Sequence, residues 1–116
     1  MTSTGFGWLK YNNKIYEHDI LVISDGKVIP RNEDMLRKKF GTCHAIGIDE
    51  LKILLQGSPE VIVIGTGQNG EARLTQEAKE FITRSHARIM EGSTPKACKK
   101  FDEITAKKAA LFHVTC

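Results

Sequence analysis

The sequence predicts a mixed α/β fold. A central mixed sheet takes its strands from a β-α-β-α-β C-terminal half, with helices on one face and N-terminal β-hairpins on the other. Three observations carry this. Val61 to Ile64 is a run of four β-branched residues, the pattern of a strand buried on both faces. Two segments of helical period follow, opening at Thr75 and Thr94, and each leads into another short apolar run. Upstream, Asn12-Asn13 and Asp25-Gly26 are turn signals that divide a strand-rich N-terminal third.

In chain order, Phe6, Trp8 and Tyr11 precede Asn12-Asn13, and Ile15-Tyr16 follow; Asn tolerates positive φ, which suits a hairpin turn. Ile20 to Ile23 is a second apolar strand, and Val28-Ile29 is its return, stopped by Pro30. Arg31 to Ile48 has no clean period and reads as a helical turn around Met35 to Lys39 or as an irregular basic loop. From Asp49, a plausible N-cap, a short helix carries Leu51, Leu54 and Leu55 on its apolar stripe and stops at Gly57. Thr75 caps a helix with Ala78, Phe81 and Ile82 inward, and "ARIM" is a short strand. Thr94 at the N-cap and Pro95 at the first helical position open a helix with Ala97, Cys98, Phe101 and Ile104 inward. "ALFHVTC" is the last strand. Short right-handed crossovers make the three C-terminal strands parallel.

The 116 residues read as one domain, 1–116, large enough to fold without a disulfide or a metal. The longest apolar run, Ile20 to Ile23, is too short to span a bilayer, and "MTSTGFGW" lacks the regions of a signal peptide. Cys43, Cys98 and Cys116 are odd in number and widely spaced, which is not a disulfide framework and fits a reducing compartment. A cytoplasmic protein with no membrane association is expected. Net charge is +3, and its basic clusters are diluted by Glu33, Asp34, Asp102 and Glu103; they read as solvated faces, and no nucleic-acid partner is expected.

The stretch "VIVIGTGQNG" spells G-x-G-x-x-G with Gly65, Gly67 and Gly70. It follows a buried strand, and Glu91 lies 21 positions after Gly70, where a ribose-binding acid would sit. The geometry argues against a dinucleotide. The third glycine of the fingerprint belongs at the start of the helix, whereas Thr75 comes five residues after Gly70. No Walker lysine follows either. What stays open is a smaller anion on loop amides, or a sharp turn out of the strand. If a ligand binds there, Gly67→Val should abolish binding and spare the fold.

Cys43-His44 and His113 with Cys116 make poor metal-chelate spacings, and no metal is expected. A carboxylate beside the Cys116 thiol would raise its pKa and lower its reactivity. Cys98 reads as core. His44, among Arg37, Lys38 and Lys39, is the best general acid–base candidate, but no serine or carboxylate stands near it in sequence.

Taken together, "RKKFGTCHAIG", "VIVIGTGQNG", "STPKACKKFDEI" and the terminal "ALFHVTC" resemble a known family. This is the Mth-type domain of unknown function, typified by an archaeal structural-genomics protein. Its animal member is an adipogenesis-associated Mth-domain-containing protein, and a mitochondrial complex I assembly factor is a distant relative. The resemblance spans nearly the whole chain. It rests on the F-H-x-T-C ending, on Gly41, Thr42 and His44, and on Gly65 and Gly67 after the strand. It implies a three-layer α/β domain, no established activity, and, through the assembly factor, a partner-binding role. It also implies Asn where this chain has Asp102, while Thr94 and Ala97 match.

The expectation is therefore a non-enzymatic module that binds an unidentified protein partner, as monomer or homodimer, without a cofactor. Its surface would join the Arg31–His44 loop to the Gly65–Gly70 loop. The alternative is a site for a small anion, or an enzyme, at the carboxyl ends of the parallel strands. Its residues would be Gly65, Thr66, Gly67, Gly70, Arg31, Arg37, His44 and Glu91.

Overall fold

The computed structural model describes residues 2–42 and 44–115. The elements are β1 (Ser3–Gly5), β2 (Trp8–Tyr11), β3 (Lys14–Tyr16), β4 (Ile20–Val22), β5 (Val28–Pro30), α1 (Glu33–Phe40), β6 (Ala45–Ile46) and α2 (Ile48–Leu54). They continue as β7 (Val61–Gly65), β8 (Arg73–Leu74), α3 (Gln76–Thr83), β9 (Arg88–Gly92), α4 (Thr94–Glu103) and β10 (Lys108–Phe112). Cys43 and Cys116, and the readings made of them, lie outside the described residues.

The main sheet has the order β5-β4-β10-β7-β9, with β10, β7 and β9 parallel, β4 antiparallel to β10, and β5 antiparallel to β4. The second hairpin thus extends the parallel core. The strands β1-β2-β3 form a separate antiparallel sheet whose β2–β3 turn places Asn12 at φ +50° and Asn13 at φ +66°, as the asparagine pair predicts. A two-stranded ribbon, β6-β8, completes the fold.

Side chains alternate across the main sheet. Leu21, Ile62, Ile64, Ala109 and Leu111 pack on one face with residues of α2 and α3. Ile20, Val22, Val61, Val63, Ala110 and Phe112 pack on the other with α4 and with Leu9 of the small sheet. The three-layer α/β class is as predicted, but the helices do not all lie on one face. The β7-α3-β9 crossover and the β9-α4-β10 crossover run in opposite directions across the sheet. Right-handed crossovers of opposite direction deliver their helices to opposite faces, so α4 joins the hairpin side.

Three local readings change. Residues 33–40 form a full helix, α1, capped by Asn32 Oδ1, which accepts from Met35 N at 3.1 Å, and stopped by Gly41 at φ +75°. Only Leu36 of this helix is buried, so it has no apolar stripe to show in sequence. The N-cap of α2 is Gly47 rather than Asp49, which puts Asp49 and Glu50 inside the first turn. The N-cap of α4 is Ser93, and Thr94 is the first helical residue with its hydroxyl turned inward.

Candidate functional site

Strand register assembles a row of charge at one end of the main sheet. Asp19 immediately precedes β4, Arg31 follows β5, and His113 follows β10. Extending the pairing of Ile20 with Pro30 and with Phe112 by one position sets Arg31, Asp19 and His113 side by side. All three are buried, as is Glu50 in the first turn of α2. Arg31 Nε and Nη2 donate to Glu50 Oε2 and Oε1 at 2.7 and 3.0 Å, a two-pronged pair. Arg31 Nη1 donates to Asp19 Oδ2 at 3.0 Å and Nη2 to the Ala45 carbonyl at 2.8 Å.

Asp19 is the hub. Its Oδ1 accepts from Val114 N at 2.8 Å, and His113 Nδ1 lies 2.6 Å from its Oδ2. Burial alone would raise the Asp19 carboxyl. The hydrogen bond and charge of His113, the Val114 amide and Arg31 outweigh it and hold Asp19 below the usual carboxylate range. An ionised Asp19 only accepts, so His113 Nδ1 donates to it, and Nε2 lies 3.3 Å from Thr115 Oγ1. For Arg31, burial would lower the pKa, but the bonds and charges of Glu50 and Asp19 outweigh it and raise it. The His44 ring packs edge-on against His113, centroids 5.3 Å apart. A carboxylate at Nδ1 orients an imidazole for acid–base work, but this ring is fully buried beneath half-buried His44.

The glycine loop lies beside this row and is bound into the fold. Thr66 N donates to the Gly92 carbonyl, Gly67 N to Thr94 Oγ1, Gln68 N to the Thr115 carbonyl and Gly70 N to the Gly67 carbonyl. Thr94 is the bolt: its hydroxyl donates to the His113 carbonyl at 2.5 Å, and its amide donates to Gly67 O at 2.9 Å. Connections leave β7 and β9 toward opposite faces, so a ligand crevice belongs between their carboxyl ends. Thr94 and Gly67 close that crevice. A Cβ at Gly65 would stand 3.0 Å from Thr94 Oγ1 and 3.1 Å from Phe112 Cδ1, so the glycine permits this close approach.

Residues 1–113 match the family described as "Protein of unknown function (DUF498/DUF598)". The chain belongs to this family. Among curated proteins, none matches. Of solved structures, the DUF498/DUF598 chain is 29% identical to the conserved hypothetical protein PH1505 from Pyrococcus horikoshii OT3, with a TM-score of 0.91, covering 100% of this chain and 99% of that one. It is 36% identical to a protein called MT938, with a TM-score of 0.82, covering 100% of this chain and 98% of that one. A Mth938-like domain of Bordetella pertussis, 14% identical at a TM-score of 0.60 over 97% of this chain and 85% of that one, shares the fold. The Mth-type resemblance read in the sequence holds.

Of the expected site residues, Arg31 shares Asp19 with His113, His44 packs its ring on His113, Gly65 O accepts from His113 N, and Gly67 is joined to the His113 carbonyl through Thr94. Arg31, expected among the anion-binding residues, is buried and donates hydrogen bonds to Glu50, Asp19 and the Ala45 carbonyl. Arg37 is exposed on α1, and Glu91 is exposed on the edge strand β9. Asp102, the departure from the expected Asn, accepts from Thr2 N at 2.8 Å and ties the N-terminal segment to α4. Asp19 and Glu50 lie outside the site expected from the sequence, and His113 enters that expectation only as a metal ligand. One signal was available: Glu50 shares a helix face with Leu54, four residues on.

The remaining feature is apolar. Among the described residues, Phe6, Trp8 and Ile15 are the exposed large hydrophobic residues, 63%, 37% and 59% accessible, and with Gly7 and Glu17 they line one shallow depression on the small sheet. Among the described residues, no helix is long and apolar enough to cross a membrane.

Proposed function

We propose that the protein is a non-enzymatic partner-binding module that docks through the outer face of the small β1-β2-β3 sheet. The observation that carries this reading is the Phe6, Trp8 and Ile15 cluster. Three large apolar side chains of the small sheet and its β1–β2 turn stand in water beside one another, and among the described residues the other large aliphatic and aromatic side chains are at least partly buried. Clustered exposure of this kind marks association surfaces, and aromatic anchors dominate their energetics. The docking face moves from the Arg31–His44 segment to this sheet, because Arg31 and the loop amides are engaged inside the fold. A cytoplasmic setting belongs to the same reading and is supported by the cysteine pattern.

Phe6→Asp and Ile15→Glu test it. Both positions are exposed, and a glutamate at 15 would face Lys10 across the β2–β3 pair, so the fold should survive by circular dichroism. Proteins that co-purify with the wild-type chain should be lost from both variants and kept by an exposed control, Lys38→Glu. Co-purification unchanged in both variants would sink the reading.

A further inference from the structure

The main sheet has two edges of different character. At the β5 edge, Arg31 N donates to Asp19 O and Ile23 N donates to Lys27 O, so alternate residues point outward and Pro30 falls on an outward position. Proline has no N–H to offer there, and this edge is blunted. The β9 edge has no such device. Arg88 N donates to Glu60 O and Gly92 O accepts from Thr66 N, so both face β7. By alternation, Ile89 and Glu91 aim their N–H and C=O groups away from the sheet. Among the described residues, no strand pairs with them.

A groove runs beside this edge, between β9 and α4. Val63, Met90 and Ala97 supply its apolar lining, and its volume is about 160 Å³. Lys96 and Lys100, one helical turn apart and exposed, border it, with Glu91 as the one acidic group. Arg88 is exposed at the start of the strand. An edge strand beside a helix-walled apolar groove is the arrangement that takes up an extended peptide by strand addition. Backbone bonds then give affinity, and alternate side chains enter the groove.

We propose that β9 binds an extended acidic peptide as a sixth strand, with one apolar side chain in the groove and flanking carboxylates on Lys96 and Lys100. A second copy of this chain fits the edge less well. Antiparallel β9–β9 pairing about an axis normal to the sheet sets both α4 helices on the same side of the seam. Lys96 and Lys100 of each copy would then face their own kind. This site is separate from the Phe6, Trp8 and Ile15 face, and Ile15→Glu should leave it intact, so either proposal can fail without the other.

The test uses the full chain, a fluorescein-labelled peptide TETLTET, whose alternation sets Glu, Leu and Glu on one face, and TKTLTKT as its basic counterpart. Fluorescence anisotropy should show binding of the acidic peptide and at least tenfold weaker binding of the basic one. Amide exchange by NMR should slow at Ile89 and Glu91. The Lys96→Glu/Lys100→Glu double variant, altered only on the exposed side of α4, should weaken binding tenfold or more. Glu91→Pro, which copies the Pro30 device, should also weaken it. Several results would overturn the proposal: no binding of TETLTET at millimolar concentration, equal binding of the two peptides, undiminished binding by the lysine double variant, or unchanged exchange at Ile89 and Glu91.

Discussion

Replacing Asp19 with Asn removes the charge at the centre of the buried row and keeps its shape. The carboxylate accepts from Val114 N at 2.8 Å and Arg31 Nη1 at 3.0 Å, and it holds His113 Nδ1 at 2.6 Å. An asparagine has one acceptor oxygen, so its NH2 must confront either the Val114 amide or the Arg31 and His113 donors. Orphaning one buried donor costs about 1–3 kcal/mol. Breaking a buried ion pair by removing one partner costs about 3–5 kcal/mol. Arg31 keeps its two-pronged contact with Glu50, so the low end of the second range applies, and we predict a loss of about 3 kcal/mol at pH 7. For a domain of this size that corresponds to a fall in Tm of roughly 12 °C. Urea unfolding followed by far-ultraviolet circular dichroism measures it. The sign of the pH dependence follows from the depressed Asp19 pKa. A carboxyl lowered by folding contributes stability above its unfolded value, and that contribution is lost as pH falls through the folded value. The gap between wild type and variant should therefore hold steady from pH 7 to about pH 4 and close only below that. A difference under about 1 kcal/mol at pH 7 would refute the role of Asp19 as hub. A gap that already shrinks between pH 7 and pH 5 would contradict a depressed Asp19 carboxyl.

Thr94→Val keeps the volume and removes the hydroxyl that joins Gly67 N to the His113 carbonyl; two buried backbone groups lose their partner, and a loss of about 2–4 kcal/mol is expected by chemical denaturation. Gly67→Val should destabilise the fold by about 1–3 kcal/mol whether or not any ligand is present, because Gly67 sits at φ +107° and its amide and carbonyl both bond to Thr94; wild-type stability in the variant would contradict this and restore the loop as a free surface. Cys98 is 2% exposed, and burial, with the nearby Asp102 charge, pushes its thiol up to about 12. Peptide mapping after iodoacetamide treatment at pH 8 should find Cys98 unmodified in the native protein and alkylated in urea.

The elements most legible in sequence were those whose signals are local. Val61–Ile64 declared a buried strand by composition, Asn12-Asn13 declared a hairpin through its tolerance of positive φ, and Thr75 declared a helix start through its hydroxyl, which accepts from Ala78 N. These follow from a few consecutive residues and needed no knowledge of the rest of the chain. The α1 helix was half legible because its cap, Asn32, is local but only Leu36 reaches the core. Tertiary structure decided what depends on register between distant strands. Asp19 and His113 stand 94 positions apart and meet only because β4 pairs antiparallel with β10. Thr94 had a sufficient local reading as a cap, and only the approach of α4 to Gly65 turned its hydroxyl into a bolt across the ligand crevice. The placement of α4 on the hairpin face likewise came from the direction of its crossover, a property of strand order that no stretch of sequence carries by itself.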